Sequence, residues 1–560
     1  MKSFNHFNEY VQDALRSYWH DDALSDYGGI TLQYKDVAIA IEKLHILYER
    51  AGLHPGDHIA LYGRNSSHWA VAFMSILTYG AVAVPILNDF RPEQVHDIVN
   101  HSEAKLLLAG EPMAHTLSFA EMPHLNGMLG LSDFTIQHSR SLTLTQAREQ
   151  LNRLFGEKYP RAFTATDIHY YIGKADEPAL INYTSGTTSH SKGVLIPHRA
   201  LWSNLLFAEN ALKIKVNHGS RVISILPMAH MYGMMFEFIY EFCTGCHVYF
   251  LGRTPSPQII FKAFSEIRPD VVIAVPLIIE KIVRKAILPK LRGIEARILL
   301  RIPVVRRKIR QRIRQALLTA FGNNLYEIIV GGAALNSDIE RFLCDIEFPF
   351  TVGYGATECA PIITYSDWKS FRRGSCGQVV PRMELKIDSP DPYHTVGEVL
   401  TRGANVMLGY YKNPEATAQA LDAEGWYHTG DLGIIDADGY LYLKGRSRNM
   451  LLGASGQNIY PEEIEDALNA LPYVAECVVI QRNEKLYALI YPDYDTAHKD
   501  GIAESDLPAI MERNRTTLNA SLPAYEQLAG MVLTDTEFEK TPKKSIKRYL
   551  YADYDITPRN

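Results

Sequence analysis

Short apolar runs alternate with helix-like segments along the first 350 residues, and this alternation is the strongest constraint on the fold. Ile59–Gly63 follows a Pro-Gly-Asp turn, and Ala81–Ile86 and Lys105–Gly110 are further apolar runs. The segments between them, His68–Thr78 and Pro92–His101, have the pattern of helices. The alternation returns at four later runs: Val222–Leu226, Val248–Leu251, Asp270–Val275 and Tyr326–Val330. Apolar runs separated by helices of about 10–15 residues predict parallel sheets covered by helices, so the predicted fold class is α/β.

The texture of the sequence changes near Gly397, where short strands and tight turns begin. Beyond Arg448 the pattern predicts a helix over Pro461–Leu471 and two strands, Ala475–Gln481 and Leu486–Ile490. We therefore predict a large N-terminal domain of layered sheets and helices over residues 1–447, with a β-rich subdomain at about 378–447. Residues 448–560 are predicted to form a small, mobile α+β domain that follows a short hinge.

Composition and charge exclude several classes of protein. Hydrophobic residues make up 47% of the chain and charged residues 21%, which excludes disordered, collagen-like and disulfide-stapled proteins. The net charge is −6, so we expect no nucleic-acid partner. Six cysteines in 560 residues are typical of reduced thiols. The N-terminus lacks a secretory pattern and no stretch has the ~20 apolar residues of a membrane span, so the expected location is the cytoplasm.

One segment is strongly basic. Between Arg284 and Arg314 there are twelve Lys or Arg and a single acid, Glu295, interleaved with aliphatic residues. This pattern has two main interpretations: a solvated helical face, or a basic amphipathic surface that makes peripheral contact with an anionic membrane. The sequence leaves both open, and it does not determine the oligomeric state.

The segment Ile181–Pro197 reads INYTSGTTSHSKGVLIP, in which a strand enters a loop of hydroxyls and glycine with one lysine. Backbone N–H groups, hydroxyls and an ammonium are the donors that a polyphosphate needs around its oxygens. A Walker P-loop is excluded, because Lys192 is preceded by Ser191 and followed by Gly193. The segment therefore predicts a phosphate-binding loop of another kind.

Together with five later motifs, this loop resembles the AMP-forming adenylating superfamily of acyl-CoA synthetases, luciferases and peptide-synthetase adenylation domains. YTSGTTSHSKGV is similar to the phosphate-loop signature, with Ser189 and Ser191 where glycine and proline are usual. The other motifs follow in family order: LPMAHMYG at 226–233, GGAAL at 331–335, GYGATE at 353–358, WYHTGD at 426–431 and KGRSRNMLLGASGQNIYPEEIE at 444–465. The resemblance covers nearly the whole chain.

The resemblance implies a site for ATP and Mg²⁺. Tyr354 would stack on adenine with Gly332 and Ala333 on the other side, and Asp431 and Arg446 would bind the ribose. Glu358 and Thr184 would hold Mg²⁺, since a hard carboxylate suits that cation, and Thr357 would contact the α-phosphate. The β- and γ-phosphates would lie among Thr184, Ser185, Gly186, Thr187, Thr188 and Lys192.

The reaction that the resemblance implies has two steps. A carboxylate attacks the α-phosphorus of ATP, giving an acyl-adenylate and pyrophosphate, and catalysis comes mainly from positioning and electrostatics. The thiol of coenzyme A then displaces AMP after the C-terminal domain rotates at a hinge that matches Arg448. Gly453 and Gly456 would face the tunnel of that thiol.

The acid is the least constrained part of the prediction. The stretch MYGMMFEFIYEF is apolar apart from Glu237 and Glu241, so Met234, Met235 and Phe236 either line an apolar tunnel or form helix core. SGQNIYPEEIE and Ile267–Ile282 look most like long-chain fatty acyl-CoA synthetases. A medium-chain or aryl acid-CoA ligase, an acyl-carrier-protein ligase and a non-catalytic nucleotide-binding regulatory protein are the alternatives. We interpret the pair Cys243 and Cys246 as structural thiols.

The C-terminal region departs from the family pattern. Relatives carry Lys-Thr-x-x-Gly-Lys-Ile, whose second lysine enters the active site during adenylation, whereas Ser545 occupies that position here. We predict that Lys544 substitutes for it, with Lys543 as the next candidate and Lys547 as the last. The alternative is a solvated basic tail.

Overall fold

The computed structural model describes residues 4–184, 192–212, 215–252, 257–283, 303–452, 458–483, 485–540 and 546–556. The strands of the first half are β1 Asp22–Asp26, β2 Thr31–Gln33, β3 His58–Tyr62, β4 Val82–Ile86, β5 Leu106–Ala109, β6 Gly127–Gly130, β7 Ile136–Ser139, β8 Pro178–Thr184, β9 Lys192–Pro197, β10 Arg221–Ser224, β11 His247–Phe250, β12 Val271–Ala274, β13 Glu327–Val330 and β14 Phe350–Val352. The later strands are β15 Tyr354–Gly355, β16 Ile362–Tyr365, β17 Gln378–Val379, β18 Met383–Asp388, β19 Gly397–Gly403, β20 Gly409–Tyr410, β21 Tyr427–Ile435, β22 Leu441–Arg446, β23 Leu451–Leu452, β24 Asn458–Ile459, β25 Val474–Arg482, β26 Lys485–Pro492 and β27 Leu528–Leu533.

Helices separate most of these strands. They are α1 Phe7–Ser17, α2 Tyr34–Arg50, α3 Ser67–Tyr79, α4 Pro92–His101, α5 Leu142–Glu149, α6 Leu151–Lys158, α7 His198–Leu212, α8 Met231–Met234, α9 Tyr240–Cys243, α10 Pro257–Ile267, α11 Pro276–Ile282, α12 Pro303–Ala320, α13 Ser337–Asp345, α14 Pro414–Ala420, α15 Pro461–Asn469, α16 Tyr494–Lys499 and α17 Leu507–Asn519. A π-helical turn, Met235–Ile239, joins α8 to α9. Within the described ranges, no helix is both long and apolar enough to cross a membrane.

An eight-stranded sheet forms the largest layer, in the order β20-β9-β8-β4-β3-β5-β6-β7. Its interior strands β8, β4, β3, β5 and β6 pair in parallel, as the alternation predicts. The pairs β8–β9, β9–β20 and β6–β7 are antiparallel. The connections β8–β9 and β6–β7 are too short for a crossover between parallel strands, which explains these antiparallel edges.

The parallel strands are buried on both faces, which is why they appear in the sequence as continuous apolar runs. All five residues of β4 are buried, and α3 packs against it. Ser66 caps the start of α3 by accepting a hydrogen bond from the Trp69 N–H, and Gly80, with a φ of +86°, ends the helix. The seven apolar runs of the alternation all coincide with strands, with ends that differ by one or two residues.

Smaller sheets complete the large N-terminal part of the fold. A parallel sheet has the order β12-β13-β14, a mixed sheet has the order β10-β11-β1-β2, and β15, β16 and β17 form an antiparallel sheet. The antiparallel sheet β18-β19-β21-β22 spans Met383–Arg446, in the region predicted to be β-rich. The proposed domain boundaries stay a prediction.

The C-terminal part has its own hydrophobic core. Strands β25, β26 and β27 form one sheet, and α15 packs on β25. Ile464, Leu468, Val479 and Ala488 are among the buried residues of this core, which is distinct from the cluster that unites the larger part. The mixed α/β fold with a large N-terminal and a small C-terminal part agrees with the predicted fold class.

Candidate active site

A cavity of about 2770 Å³ lies where the parallel strands end and where the C-terminal part faces them. Ligand sites of open α/β sheets form outside the carboxyl ends of the strands. Thr184 ends β8, while Gly331 and Gly353 directly follow β13 and β14. The predicted site residues that line the cavity are Thr184, Gly332, Ala333, Tyr354, Thr357, Glu358, Asp431 and Arg446.

Tyr354, Asp431 and Arg446 form one hydrogen-bonded group. The Tyr354 hydroxyl donates to Asp431 Oδ2 at 2.5 Å, and Arg446 Nε lies 2.6 Å from Asp431 Oδ1. Asp431 on β21 is directly opposite Arg446 on β22, so the strand pairing itself places the two charges together. The Asp431 side chain is only 9% exposed, and this burial raises the pKa of its carboxyl, although Arg446 acts in the opposite direction. Each carboxylate oxygen has two lone pairs, so Asp431 can still accept hydrogen bonds from the two hydroxyls of a diol.

Tyr410 joins two other predicted residues, Glu358 and Lys192. Its hydroxyl donates to Glu358 Oε1 at 2.9 Å, and Lys192 Nζ lies 4.9 Å from the centroid of its ring. Strand β20 pairs with β9 in this region, which brings Tyr410 opposite Val194, two residues from Lys192. A cation over an aromatic face is stabilised by the ring quadrupole. No sequence motif identifies Tyr410, which reaches the site through this strand pairing.

The glycine-rich turn after β13 passes close to the side chain of Tyr232. A Cβ atom at Gly331 would lie 3.0 Å from the Tyr232 ring, and Gly332 has a φ of +85°, which favours glycine. The Tyr232 hydroxyl donates to the Ile329 carbonyl at 2.9 Å. The motif at 226–233 is thereby fixed against the predicted adenine-binding turn.

The loop Leu226–His230 is held by side chains from a distant strand and a distant loop. Asn65 donates to the Leu226 carbonyl at 2.6 Å and accepts from the Met228 N–H at 2.9 Å. Asn182 donates to the Ala229 carbonyl at 2.9 Å. Sequence reasoning missed both asparagines, because an isolated Asn carries no pattern that identifies its partner.

In the helix after this loop, one of the three residues that were candidates for an apolar tunnel lines the cavity. Phe236 lines the cavity, whereas Met234 and Met235 are fully buried and are not among the lining residues. The tunnel interpretation was therefore wrong for these two methionines, which belong to the helix core. Glu237 accepts from the Ile225 and Leu226 N–H groups at 3.1 and 2.9 Å, and burial raises its carboxyl pKa well above the ordinary value.

Residues of the C-terminal part also line the cavity. Lys540 is ion-paired with Glu476 and lies 3.5 Å from Glu537, and Arg548 is ion-paired with Glu465. Lys547 is the last candidate for the adenylation lysine, and its ammonium is ion-paired with Glu539. The cavity is therefore bounded by both parts of the chain.

Several predicted residues lie outside the described residues: Ser185, Gly186, Thr187, Thr188, Gly453, Gly456, Lys543 and Lys544. Thr184 precedes the first of these gaps, with its Oγ1 3.5 Å from the Lys192 carbonyl. Cys243 and Cys246 are buried free thiols, and burial raises the pKa of both. Over the part of the chain that the structure describes, no group of three or more His, Cys, Asp and Glu residues could hold a metal. Mg²⁺ in nucleotide sites needs only one or two carboxylates together with phosphate oxygens, and Glu358 fits that requirement.

Comparisons with known proteins identify the family of the chain. Residues 11–411 match the family described as AMP-binding enzyme, and residues 449–555 match the one described as AMP-binding enzyme C-terminal domain. The long-chain-fatty-acid–CoA ligase FadD15 of Mycobacterium bovis is 27% identical over 548 residues, which cover 90% of this chain and 87% of that protein.

Two further relatives act on other acids, according to their names. A ligase of Rhodococcus jostii, a 3-[(3aS,4S,7aS)-7a-methyl-1,5-dioxo-octahydro-1H-inden-4-yl]propanoyl:CoA ligase, is 26% identical, and the match covers 84% of each chain. The solved structure of the anthranilate CoA ligase AuaEII with anthranoyl-AMP has a TM-score of 0.77 at 19% identity, covering 98% of this chain and 97% of that one. At this identity the structural likeness establishes the fold.

Proposed function

The chain belongs to the AMP-binding enzyme family, and from this premise we propose that it activates a long-chain fatty acid and transfers the acyl group to coenzyme A. Adenylate-forming acyl-CoA ligase chemistry follows from the family and from relatives that span most of the chain. The observation that carries the proposal is that Asp431, Glu358 and Tyr354 line the same cavity as the aromatic side chains of Phe207 and Phe236.

In the proposed adenylation step, the residues of this chain position ATP for attack by the acid. Asp431 accepts from the ribose hydroxyls, and the Tyr354 hydroxyl and Arg446 hold its carboxylate in place. Lys192 offers its ammonium to the phosphates. Mg²⁺ supplies neutralisation of phosphate charge, and Glu358 would hold it, with Thr184 as a second ligand. One substrate carboxylate oxygen forms a bond to the α-phosphorus while the bond to pyrophosphate breaks, and the electron pair leaves with pyrophosphate.

In the proposed second step, the thiolate sulfur of coenzyme A attacks the acyl carbon. The bond to AMP breaks and its electron pair leaves with the AMP phosphate. The C-terminal part would rotate near Arg448 between the steps, and Arg448 lines the cavity at the start of that part.

A long-chain fatty acid is favoured by the apolar wall of the cavity. Phe207, Ile225, Phe236 and Leu212 line it, and apolar walls with few polar groups are typical of sites for hydrocarbon ligands. The names of relatives such as FadD15 support the same class of acid.

A different acid is the second candidate, and the aromatic side chains favour it. An aryl acid could pack against Phe207 and Phe236, whose ring centroids are 6.2 Å apart. Medium-chain acids and a carrier-protein acceptor are further alternatives.

The purified protein with ATP and Mg²⁺ should release AMP, and not ADP, when fatty acids are added. A larger AMP yield with aryl acids than with fatty acids would favour an aryl acid as the substrate. Tight ATP binding without AMP release would favour a non-catalytic regulatory protein.

We also propose peripheral contact between α12 and an anionic membrane. Arg306, Arg307, Lys308 and Arg312 are exposed on this helix, while Arg310 is 2.8 Å from Asp345. Residues 284–302 of the basic segment lie outside the described residues. Each basic side chain near an anionic surface contributes ~1 kcal/mol, so several suffice for reversible attachment.

A further inference from the structure

The ring of Tyr365 forms part of the apolar wall of the cavity. Phe207 and Phe236 also line the cavity. The Phe207 ring meets Tyr365 edge-on with centroids 5.4 Å apart. Tyr365 is the last residue of β16, whose neighbour β15 begins with Tyr354, so the nucleotide end and this wall belong to one small sheet.

The space behind Tyr365 is filled by charged groups. The Tyr365 hydroxyl donates to the Glu327 carboxylate, whose oxygens lie at 3.0 and 3.3 Å. Lys215 Nζ is 3.0 Å from Glu327 and 2.5 Å from Asp367. The Trp368 N–H donates to Glu327 at 2.9 Å, so the carboxylate is satisfied on several sides.

The charged side chains behind Tyr365 are buried, so separating them from one another is unfavourable. The side chains of Glu327 and Lys215 are 0% and 5% exposed. Separating a buried ion pair leaves an uncompensated charge, which is strongly unfavourable. A hydrocarbon tail would have to separate these charges in order to pass the ring, whereas a wall of methionines could adapt. The ring of Tyr365 is therefore a rigid barrier.

We propose that Tyr365 is the end wall of the acyl subsite and sets the longest acyl chain that the enzyme activates efficiently. This inference rests on the proposed function and specifies it further. Glu327 and Lys215 act as positioning residues that hold the ring, and Phe207 narrows the subsite in front of it.

The test compares kcat/KM for adenylation across saturated fatty acids of increasing length, in the wild type and in Tyr365→Ala. The variant should prefer longer acids, with a gain of about fourfold for each methylene that only the enlarged subsite buries. KM for ATP should be unchanged. Tyr365→Phe keeps the ring but loses its hydrogen bond to Glu327, so its optimum should lie between those of the wild type and Tyr365→Ala. Phe371→Ala removes a partly buried aromatic ring that does not line the cavity, and it should leave the optimum unchanged.

A second variant tests the wall from the opposite direction. Phe207→Trp adds bulk in front of Tyr365 and should move the optimum to shorter acids, a result that does not require Tyr365→Ala to fold. An unchanged optimum in folded Tyr365→Ala, or an equal shift in Tyr365→Phe, would overturn the inference while wild-type turnover of fatty acids upholds the proposed function. If the wild type adenylates no fatty acid, the proposed function fails and the inference fails with it.

Discussion

The Tyr354 hydroxyl donates a hydrogen bond to Asp431 Oδ2 over 2.5 Å, although the two residues are 77 positions apart in the chain. This contact joins the motif predicted to bind adenine to the motif predicted to bind ribose. A charge-assisted hydrogen bond of this kind fixes the carboxylate before a nucleotide arrives.

Loss of this hydrogen bond should weaken nucleotide binding. Hydrogen bonds to charged groups contribute ~1.5–3 kcal/mol, so Tyr354→Phe should raise KM for ATP on the order of tenfold while it keeps the aromatic face. Asp431→Asn should raise it further, because Arg446 then loses its ionic partner. Steady-state kinetics with varied ATP measure both effects. The exposed Tyr393, replaced by Phe, is the control, and equal KM values for Tyr354→Phe and the wild type would contradict the prediction.

Glu358 is the predicted magnesium ligand, and its removal should abolish most of the adenylation. Glu358→Ala should lower acid-dependent pyrophosphate exchange by orders of magnitude with the fold intact, because the phosphate charge then loses its held cation. Thermal unfolding checks the fold. Glu384→Ala breaks a surface pair with Arg402 and should leave exchange unchanged. Normal exchange in Glu358→Ala would remove Glu358 from the metal site.

Glu241 should make stability depend on pH. It is 2% exposed, and burial raises its carboxyl pKa to about 8. The unfolded chain releases this proton near the ordinary pKa of 4.5, whereas the folded protein keeps it up to about 8, so rising pH across this window favours unfolding. The difference corresponds to on the order of 5 kcal/mol above pH 8.

Glu241→Gln should therefore gain unfolding free energy relative to the wild type as pH rises through that window. Urea unfolding at several pH values measures the difference. Replacement of the exposed Glu149 by Gln is the control and should not show the trend. A difference that does not vary with pH would show that Glu241 ionises normally in the folded protein.

The basic face of α12 should bind anionic vesicles reversibly. Replacing Arg306, Arg307, Lys308, Arg310, Arg312 and Arg314 by Gln should abolish sedimentation with such vesicles, because the attraction is electrostatic. Added salt should have the same effect on the wild type, since it screens exposed charges. Salt-insensitive binding, or binding by the six-fold variant, would contradict the proposal.

The lysine near Ser545 should act in adenylation alone. Lys544→Ala should cripple adenylation and largely spare thioester formation from preformed acyl-adenylate, because an ammonium ~4 Å from a phosphate contributes ~4 kcal/mol at an effective dielectric of 20. Both half-reactions are measured separately, together with Lys543→Ala and Lys547→Ala. Normal adenylation by all three variants would mean that this enzyme works without such a lysine.

Local patterns in the sequence were sufficient to predict the fold class, and the family resemblance of its motifs predicted most of the residues of the candidate site. Each interior strand is buried on both faces, so its position appears directly as an apolar run, as in Ala81–Ile86. The motifs predicted to bind phosphate, adenine and ribose are short segments, so the family resemblance can be seen in them without a structure, and their roles stay predictions. Thr184, Tyr354, Glu358 and Asp431 line the same cavity.

Contacts between distant segments were decided only by the tertiary structure. Tyr410 lies between Glu358 and Lys192 because β20 pairs with β9, and nothing near Tyr410 in the sequence indicates that pairing. Met234 and Met235 lie in the core, whereas the sequence pattern fitted an apolar tunnel equally well. The Tyr365 hydroxyl is held by Glu327, and Lys215 from a separate part of the chain is ion-paired with that carboxylate. A side chain's partner across the fold depends on strand order and helix packing, and one segment of sequence does not contain that information.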